Sequence, residues 1–243
     1  MINKKGAMFG LEGRVLRKYA GSIFLMSLRR LTFRLVAGHH ATRVLTAKGA
    51  MFGLDARIAL AIFGALSVIS GAALYSAIKE ARATALLVEL QEVGKAWENH
   101  LLDTGSDLRK TGPSGMSLHM RITVDLIEDS SSLAGWKGPY LPYKKASVNI
   151  LKHPVYSEVH VLDINDETWG LGDSWYTEGA CSSGKQCYAW SVMNGFDFAN
   201  DTALMEVIDQ KVDNSDGDDV GNFRWSGTGT IFLKIAPVKN PND

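Results

Sequence analysis

An acidic stretch near the end of the chain holds the side chains best suited to binding a metal ion. Residues 209–219, DQKVDNSDGDD, contain six Asp or Asn side chains and one glycine. Carboxylate and amide oxygens are the ligands that Ca²⁺ prefers, and a glycine allows the sharp turn of a calcium loop. We therefore name calcium as the candidate cofactor. Its candidate ligands are Asp213, Asp216, Asp218 and Asp219.

The spacing of this acidic stretch leaves a second interpretation open. An EF-hand loop has glycine at its sixth position, whereas Gly217 is the fifth residue counted from Asp213. Asp, Asn and Gly are also the residues that favour solvated turns. The stretch is therefore either a calcium loop that is not an EF-hand or a plain acidic turn.

The chain has two cysteines, Cys181 and Cys187, with five residues between them. A zinc site needs further Cys or His ligands, and the nearest histidine, His160, precedes Cys181 by 21 residues. In an oxidising compartment, the simplest chemistry for such a pair is a disulfide. We expect this bond to form and to shape an exposed loop.

Other titratable residues, such as His153, His160 and Asp163, suggest no ordered catalytic site. The sequence contains no Gly-rich phosphate loop, nucleophile elbow or paired-histidine metal helix. We therefore expect a protein that is not an enzyme. The alternative is a membrane-anchored extracellular domain that binds carbohydrate, mediates adhesion or catalyses a reaction, because acidic loops that carry Trp can bind sugars.

The residues with this chemistry lie in a body, residues 103–243, whose pattern predicts an antiparallel sheet. Segments rich in β-branched and aromatic residues alternate with Gly-, Asn- and Asp-rich turns. One segment, residues 204–212, is instead predicted as a short helix. The segments predicted as strands are HMRITVDLIED, ASVNILKH, YSEVHVLDI, CYAWSVM, NFRWSG and GTIFLKIAP.

Upstream of this body, the charge is unevenly distributed. Residues 1–50 contain ten of the 26 basic residues but one of the 26 acidic residues. Residues 58–78 contain no charged residue, and about 20 apolar residues can span a bilayer as a helix. Because cytoplasmic flanks carry the excess of Lys and Arg, we expect a single-pass protein with residues 1–50 inside and the body outside.

The helix is expected to continue beyond the membrane. No proline interrupts residues 51–102, and apolar residues after position 78 recur at steps of three and four. We predict one helix over residues 51–102, about 75 Å long, whose first half meets lipid or partner helices and whose second half packs on the body. The residues expected on the packed face are Ala83, Leu86, Leu87, Leu90, Val93, Ala96, Trp97 and Leu101.

A seven-residue motif, KGAMFGL, occurs twice, at residues 5–11 and 48–54, and an acid follows each copy. After the first copy, repeated basic residues interrupt every apolar run, so that copy cannot begin a transmembrane helix. We interpret it as a degenerate duplicate of the second. The alternative is a basic amphipathic helix on the inner face of the membrane.

The second copy and the helix after it resemble the start of type IV pilins and of the pseudopilins of type II secretion, together the prepilin-type proteins. The shared features are a basic leader, a small-residue cleavage site, a motif that ends in an acid and an uninterrupted apolar helix. The resemblance implies that a prepilin peptidase cuts between Ala50 and Met51 and that the new amino terminus is methylated. A cut after Gly49 would place Asp55 sixth, whereas a cut after Ala50 places it fifth, where the family usually has glutamate.

The resemblance also implies a fold, a function and a location. The fold is α+β, with the long N-terminal helix packed on a C-terminal antiparallel sheet. The function is that of a structural subunit of a type IV pilus or a type II secretion pseudopilus, with a role in cell adhesion or protein secretion. Such a subunit leaves the bacterial inner membrane for a periplasmic or cell-surface filament, which is homo- or hetero-oligomeric, and no nucleic-acid partner is expected.

Asp55 is the predicted assembly residue. A carboxylate at the edge of an apolar helix is costly in hydrocarbon unless it is paired. In a filament, its expected partner is the positive amino terminus of a neighbouring subunit, and this pair would set the axial register. The alternative is that Asp55 caps the helix or pairs with Arg57 at the level of the lipid headgroups.

Overall fold

The structure, a computed structural model, describes residues 50–170, 172 and 175–243, with side chains in the long helix from residue 53 onward. The first copy of the motif and Gly49 lie outside the described residues. Ala50 and Met51 occupy the first two positions of the long helix.

The long helix, α1 (Ala50–Thr104), is continuous over 55 residues. It ends two residues later than the sequence predicts. Gly105 adopts a positive φ of 65°, and its N–H donates to the carbonyl of Leu101 at 2.9 Å. A glycine in this left-handed conformation ends a helix at little steric cost, because it has no Cβ.

The two halves of α1 have different surroundings. Every described side chain from residue 53 to 78 is exposed, whereas the second half buries one face. Six of the eight side chains predicted on that face are buried, and Leu87 and Leu101 are partly buried against the same core. The predicted packed face is therefore confirmed. Its buried members are Ala83, Leu86, Leu90, Val93, Ala96 and Trp97.

Six strands of the described residues form one antiparallel sheet in the order β1-β2-β3-β4-β6-β5. The α+β fold, with a long helix on an antiparallel sheet, is thus confirmed. Two further helices are α2 (Met116–His119) and α3 (Phe198–Val212). The strands are β1 (Lys144–Ser147), β2 (Ile150–Lys152), β3 (Glu158–Asn165), β4 (Cys187–Asn194), β5 (Phe223–Ser226) and β6 (Thr230–Val238).

Two of the predicted strands differ in the structure. ASVNILKH is not one strand, because the chain reverses between Ser147 and Ile150 to form the hairpin of β1 and β2. HMRITVDLIED is not a strand either. It meets β3 at one bridge, between Met120 and Leu162, and then forms a short 3-10 helix (Thr123–Leu126). That helical turn buries four consecutive side chains, which a strand with one buried face could not do.

The helix predicted at residues 204–212 begins six residues earlier, at Phe198. Asp197 caps it, since its side chain accepts a hydrogen bond from the N–H of Ala199 at 3.2 Å. Such a cap satisfies one of the N–H groups that have no partner inside the helix. Within the predicted part, α3 packs Leu204, Met205 and Ile208 into the core shared with α1, and Phe198 from the added turn is partly buried against the same core.

The sheet has an apolar cluster on each face. One face packs on α1 and α3 through residues such as Val159, Val161 and Met193. The opposite face carries a second cluster, in which Trp169 packs edge-on against Trp190 and Phe232. Because both faces are covered, most positions of β3 and β4 are buried.

Candidate functional site

The first candidate site is the apolar half-helix, defined here as residues 58–78 of α1. Its large apolar side chains are uncovered: Leu60 and Phe63 are each 70% exposed, and Val68 is 74% exposed. By length and composition, α1 is the one helix in the described part of the chain that could cross a membrane. The chain thus has a helix of membrane-spanning size that its own body does not cover.

Asp55 lies just before the apolar half-helix and is exposed. The described residues form no ion pair with it or with Arg57. Side chains two positions apart on a helix point in different directions, so Asp55 and Arg57 do not face each other. Among the described residues, nothing covers this carboxylate.

The second candidate site is the loop closed by the disulfide between Cys181 and Cys187, whose Cα atoms are 5.9 Å apart. Both cysteines are buried, and residues 182–184 and 186 of the loop are exposed. The last residues of the chain bind this loop: Asn240 Nδ2 donates to Ser182 O at 2.7 Å, and Asn242 Nδ2 donates to Cys181 O at 2.6 Å. The predicted disulfide is present, and its loop also anchors the tail of the chain.

The third candidate site is a group of three carboxylates where α3 ends, called the acidic cluster here. It consists of Asp209, Asp213 and Asp216. Each residue offers one carboxylate oxygen, and these three oxygens lie within 4.8 Å of one another. Asp209 and Asp213 are four residues apart at the end of a helix, which brings their side chains to one side. Asp216 follows in the turn that leads to β5.

This arrangement differs from the predicted ligand set. Asp213 and Asp216 lie in the acidic cluster, whereas Asp218 and Asp219 are not part of it. Asp209 was not among the predicted ligands, although it belongs to the same stretch. The sequence signal that identifies it is the four-residue step from Asp209 to Asp213 within a helical segment.

Backbone N–H groups hold two of the three carboxylates in place. Asp213 Oδ2 accepts hydrogen bonds from the N–H of Asn222 at 2.8 Å and of Phe223 at 2.6 Å. Asp209 Oδ2 accepts one from the N–H of Gly217 at 3.2 Å. The cluster therefore connects α3 to the turn and to the first residue of β5.

The backbone at Gly221 passes close to the carboxylates of the cluster. Its φ is +80°, and a Cβ at this position would lie 2.6 Å from Asp216 Oδ2 and 2.8 Å from Asp213 Oδ2. Those distances are shorter than a van der Waals contact, so a larger residue would displace the carboxylates. Only glycine fits both the backbone angle and the space.

The electrostatics of the cluster centre on Asp209, which is 3% exposed. Burial, the charges of Asp216 and Asp213 and a hydrogen bond shared with Asp216 together raise the pKa of its carboxyl to about 6, and the hydrogen bond from the N–H of Gly217 opposes them. Its Oδ1 accepts no hydrogen bond from the described residues. The nearby guanidinium of Arg224 donates to the carbonyls of Gly221 and Glu167 and is not paired with the cluster.

A buried charge network behind α1 was not predicted from the sequence. Trp97 of α1 donates to Asp107 at 2.8 Å, and Asp107 pairs with the buried guanidinium of Arg121. Arg121 also pairs with Asp163 of β3, which Lys110 contacts in turn. Burial, then the charge of Arg121, lower the pKa of Lys110 to about 7, and the charge of Asp107 opposes them.

Asp163 is 42 positions from Arg121, so no local pattern joins it to the other members of the network. The network joins the packed half of α1 to the sheet, and its role is structural. The candidate sites for contact with a partner or an ion are the apolar half-helix, the disulfide loop and the acidic cluster. Comparisons of the chain with protein-family models, with curated proteins and with solved structures found no match.

Proposed function

We propose that this protein is a pilin-like structural subunit of a type IV pilus or a type II secretion pseudopilus. The observation that carries the proposal is the division of α1: one unbroken helix has its second half in the core of the body and its apolar half-helix uncovered. Such a subunit would lie in the inner membrane first and in a filament afterwards. Its apolar half-helix would be covered by lipid and then by the same segment of neighbouring subunits.

The energetics favour an apolar environment for this half-helix. Burying one large apolar side chain is worth ~1.5–3 kcal/mol, and the segment exposes many of them. Soluble monomers rarely expose an apolar surface of this extent. Water is therefore a poor solvent for the segment, whereas either a bilayer or a bundle of identical helices would cover it.

The rigidity of the connection favours a filament subunit over a simple membrane tether. The apolar half-helix ends at Ile78, and the buried face begins at Ala83 in the same helix. Lys211 of α3 pairs with Glu80 between these two segments. A tether has no need of a continuous helix, of the KGAMFGLD motif or of an acid at the edge of the span, whereas helix-to-helix assembly uses all three.

The proposal is tested by intact mass and amino-terminal sequencing of the protein from cells with and without the prepilin peptidase. The expected product with the peptidase is a methylated chain that starts at Met51, and without it an uncut chain. Ala50→Leu should block the cut, because the peptidase requires a small residue there. Ala7→Leu, the same change in the first copy of the motif, should leave processing unchanged.

Two results would contradict the proposal. A chain that stays uncut in both strains would favour a permanent anchor that holds an extracellular binding or enzymatic domain. A cut that depends on Ala7 instead of Ala50 would make the first copy the working signal, and α1 would then not begin the mature chain.

A further inference from the structure

We propose that a cleft between α1 and the start of α3 binds the phosphate of an anionic phospholipid headgroup through Lys79 and Arg82. This cleft, called the headgroup cleft here, has a volume of about 70 Å³. The inference rests on the membrane-spanning part of the proposed function and does not depend on processing or on filament assembly. The walls of the cleft include Tyr75, Lys79 and Arg82 of α1 and Asn200, Asp201 and Ala203 of α3.

The first support is the height of the cleft relative to a membrane. The apolar half-helix ends at Ile78, and Lys79 is the next residue. The half-helix is about 31 Å long at ~1.5 Å per residue, which matches the ~30 Å hydrocarbon core of a bilayer. Arg82 follows Ile78 by four residues, or about 6 Å along the helix, so both cations reach the headgroup layer when the half-helix spans the bilayer.

The second support is the direction of the two basic side chains. Tyr75, Lys79 and Arg82 are separated by steps of four and three residues, which places them on one face of the helix. The same spacing continues to Leu86 and Val93, which are buried against the body. The two cations therefore lie on the side of α1 that faces α3, and they line the cleft between the two helices.

The third support is the charge of the cleft. Among the described residues, no acidic side chain forms an ion pair with Lys79 or Arg82. Asp201 lies on the α3 wall, but its Oδ2 accepts a hydrogen bond from the N–H of Asp197 at 2.9 Å. The cleft thus keeps a net positive charge, although the chain after position 50 contains more acidic than basic residues.

The contacts and the size of the cleft also fit a phosphate at a membrane surface. Lys79 Nζ lies 5.5 Å from the centre of the Tyr75 ring, and this cation–π contact holds the amine beside the cleft. Tyrosine is enriched at membrane interfaces, because its ring is apolar and its hydroxyl is polar. A water molecule needs ~10–15 Å³ by the same measure of volume, so the cleft accommodates about five waters or one phosphate group.

The surroundings of the cleft favour a lipid over a soluble phosphate. The acyl chains of a bound lipid would lie along the apolar half-helix directly below, where Leu74 and Ile78 are exposed. A soluble phosphate makes no such contact and should bind far more weakly. Because a headgroup in the cleft would contact α1 and α3 together, it would hold the body against the surface of the membrane.

The test uses the full chain, purified in micelles of an uncharged detergent. Native mass spectrometry after addition of phosphatidylglycerol or phosphatidylcholine, at equal concentrations, should show one phosphatidylglycerol retained per chain and no phosphatidylcholine. Phosphatidylglycerol should also raise the Tm, because it binds the folded state. Glycerol phosphate, which has no acyl chains, should leave the Tm unchanged.

Two results of these measurements would overturn the proposal. Equal retention of the two lipids would show that the cleft does not select an anionic headgroup. An equal rise of the Tm with glycerol phosphate and with phosphatidylglycerol would assign the cleft to a soluble phosphate.

Substitutions of basic residues test the two cations. Lys79→Gln and Arg82→Gln should each lower the affinity for phosphatidylglycerol about fivefold. The matched control is Arg57→Gln, which removes a positive charge at the other end of the apolar half-helix and should leave retention unchanged. Equal losses in Arg57→Gln and Lys79→Gln would reduce the effect to a general attraction between cations and anionic lipids, and the proposal would be wrong.

A pair of tryptophan substitutions tests the cleft without a change of charge. Ala203 lines the cleft, whereas Ala199 is exposed on the same helix and does not line it. Ala203→Trp should fill the cleft and abolish retention of phosphatidylglycerol, and Ala199→Trp should preserve it. Circular dichroism and the Tm without lipid show that both variants are folded. Normal retention by folded Ala203→Trp would exclude this cleft as the binding site.

Failure of the lipid site and failure of the proposed function give different results. All of the lipid measurements use the unprocessed, unassembled chain, so a negative result there says nothing against cleavage at Ala50. An uncut chain in cells would reject the filament subunit, but it would leave the retention of phosphatidylglycerol by the purified chain unchanged.

Discussion

Nε of Arg121 lies 2.6 Å from Oδ1 of Asp163, and the side chains of both residues are at most 1% exposed. The two residues are 42 positions apart, and their contact attaches the segment after α1 to the centre of the sheet. Asp107 binds the same guanidinium and also accepts a hydrogen bond from Trp97 of α1. The long helix is thus held to the sheet by a buried ionic network as well as by apolar packing.

Asp163→Ala should lower the free energy of unfolding by about 3 kcal/mol. Breaking a buried ion pair by removing one partner leaves a charge without compensation, which typically costs 3–5 kcal/mol. We expect the lower value because Asp107 still pairs with Arg121. Denaturant unfolding of the full chain in detergent measures the change.

The matched control is Glu128→Ala, which removes the partner of Lys145 in an exposed ion pair. Exposed pairs contribute ~0–1 kcal/mol, so this variant should unfold close to the wild type. Equal effects of the two substitutions would mean that the network contributes no more than a surface pair.

Asp107→Asn should reduce the amount by which the free energy of unfolding falls at acidic pH. Burial raises the pKa of Asp107, but the hydrogen bonds from Arg121 and Trp97 and the charge of Arg121 outweigh it and hold the pKa below its usual range. A carboxyl with a lowered pKa adds stability above its unfolded pKa of ~3.9 and loses it as pH falls through the folded value. Unfolding measured from pH 7 down to pH 3 should therefore show a smaller loss in the variant. Since Asp107 is partly exposed, the difference is expected to be modest.

Gly221→Ala should destabilise the protein more than Gly184→Ala. Both glycines have a positive φ, 80° and 82°, so both substitutions carry the ~1–2 kcal/mol cost of a left-handed alanine. At Gly184 the added methyl meets no atom within 4 Å, whereas at Gly221 it meets the carboxylates of Asp213 and Asp216. The difference between the Tm values of the two variants measures the effect of that steric contact. Equal Tm values would show that the turn accommodates the methyl group without loss of stability.

Asp55→Ala should be processed normally but should be depleted from sheared filaments. Under the proposed function, its carboxylate pairs with the amino terminus of a neighbouring subunit, and alanine removes that pair without changing the helix. Asp55→Glu keeps the charge and, under the same proposal, should assemble, because prepilin-type proteins usually have glutamate at this position. Immunoblots of sheared and cell-bound fractions give the ratio. Normal entry of the alanine variant into filaments would exclude Asp55 as the register residue.

Replacing Cys181 and Cys187 together with serine should lower stability by about 2 kcal/mol. The closed loop is short, so the disulfide restricts the unfolded chain only modestly. The loss should also weaken the hydrogen bonds from Asn240 and Asn242 to the loop, and hydrogen exchange of the tail should become faster. Unchanged exchange in the tail would show that these bonds do not need the disulfide.

The amino-acid sequence by itself determined the features that depend on neighbours along the chain. The length of α1 and the buried set that includes Leu86, Leu90 and Trp97 follow from a three- to four-residue repeat, because a helix places such residues on one face. The end of α1 was predicted to within two residues, with Gly105 just after it, and the pairing of Cys181 with Cys187 follows from their number and spacing.

Tertiary structure decided the features that depend on residues brought together from a distance. The 3-10 turn at Thr123–Leu126 replaces a predicted strand because that segment leaves β3 after one bridge and buries all four side chains. Tertiary structure also decides which carboxylates of the acidic stretch lie together. Asp209 is buried by the packing of α3 and lies close to Asp213 and Asp216, whereas Asp218 and Asp219 are outside the cluster. Composition gives these residues the same chemistry, and only the path of the chain between α3 and β5 decides which of them share a site.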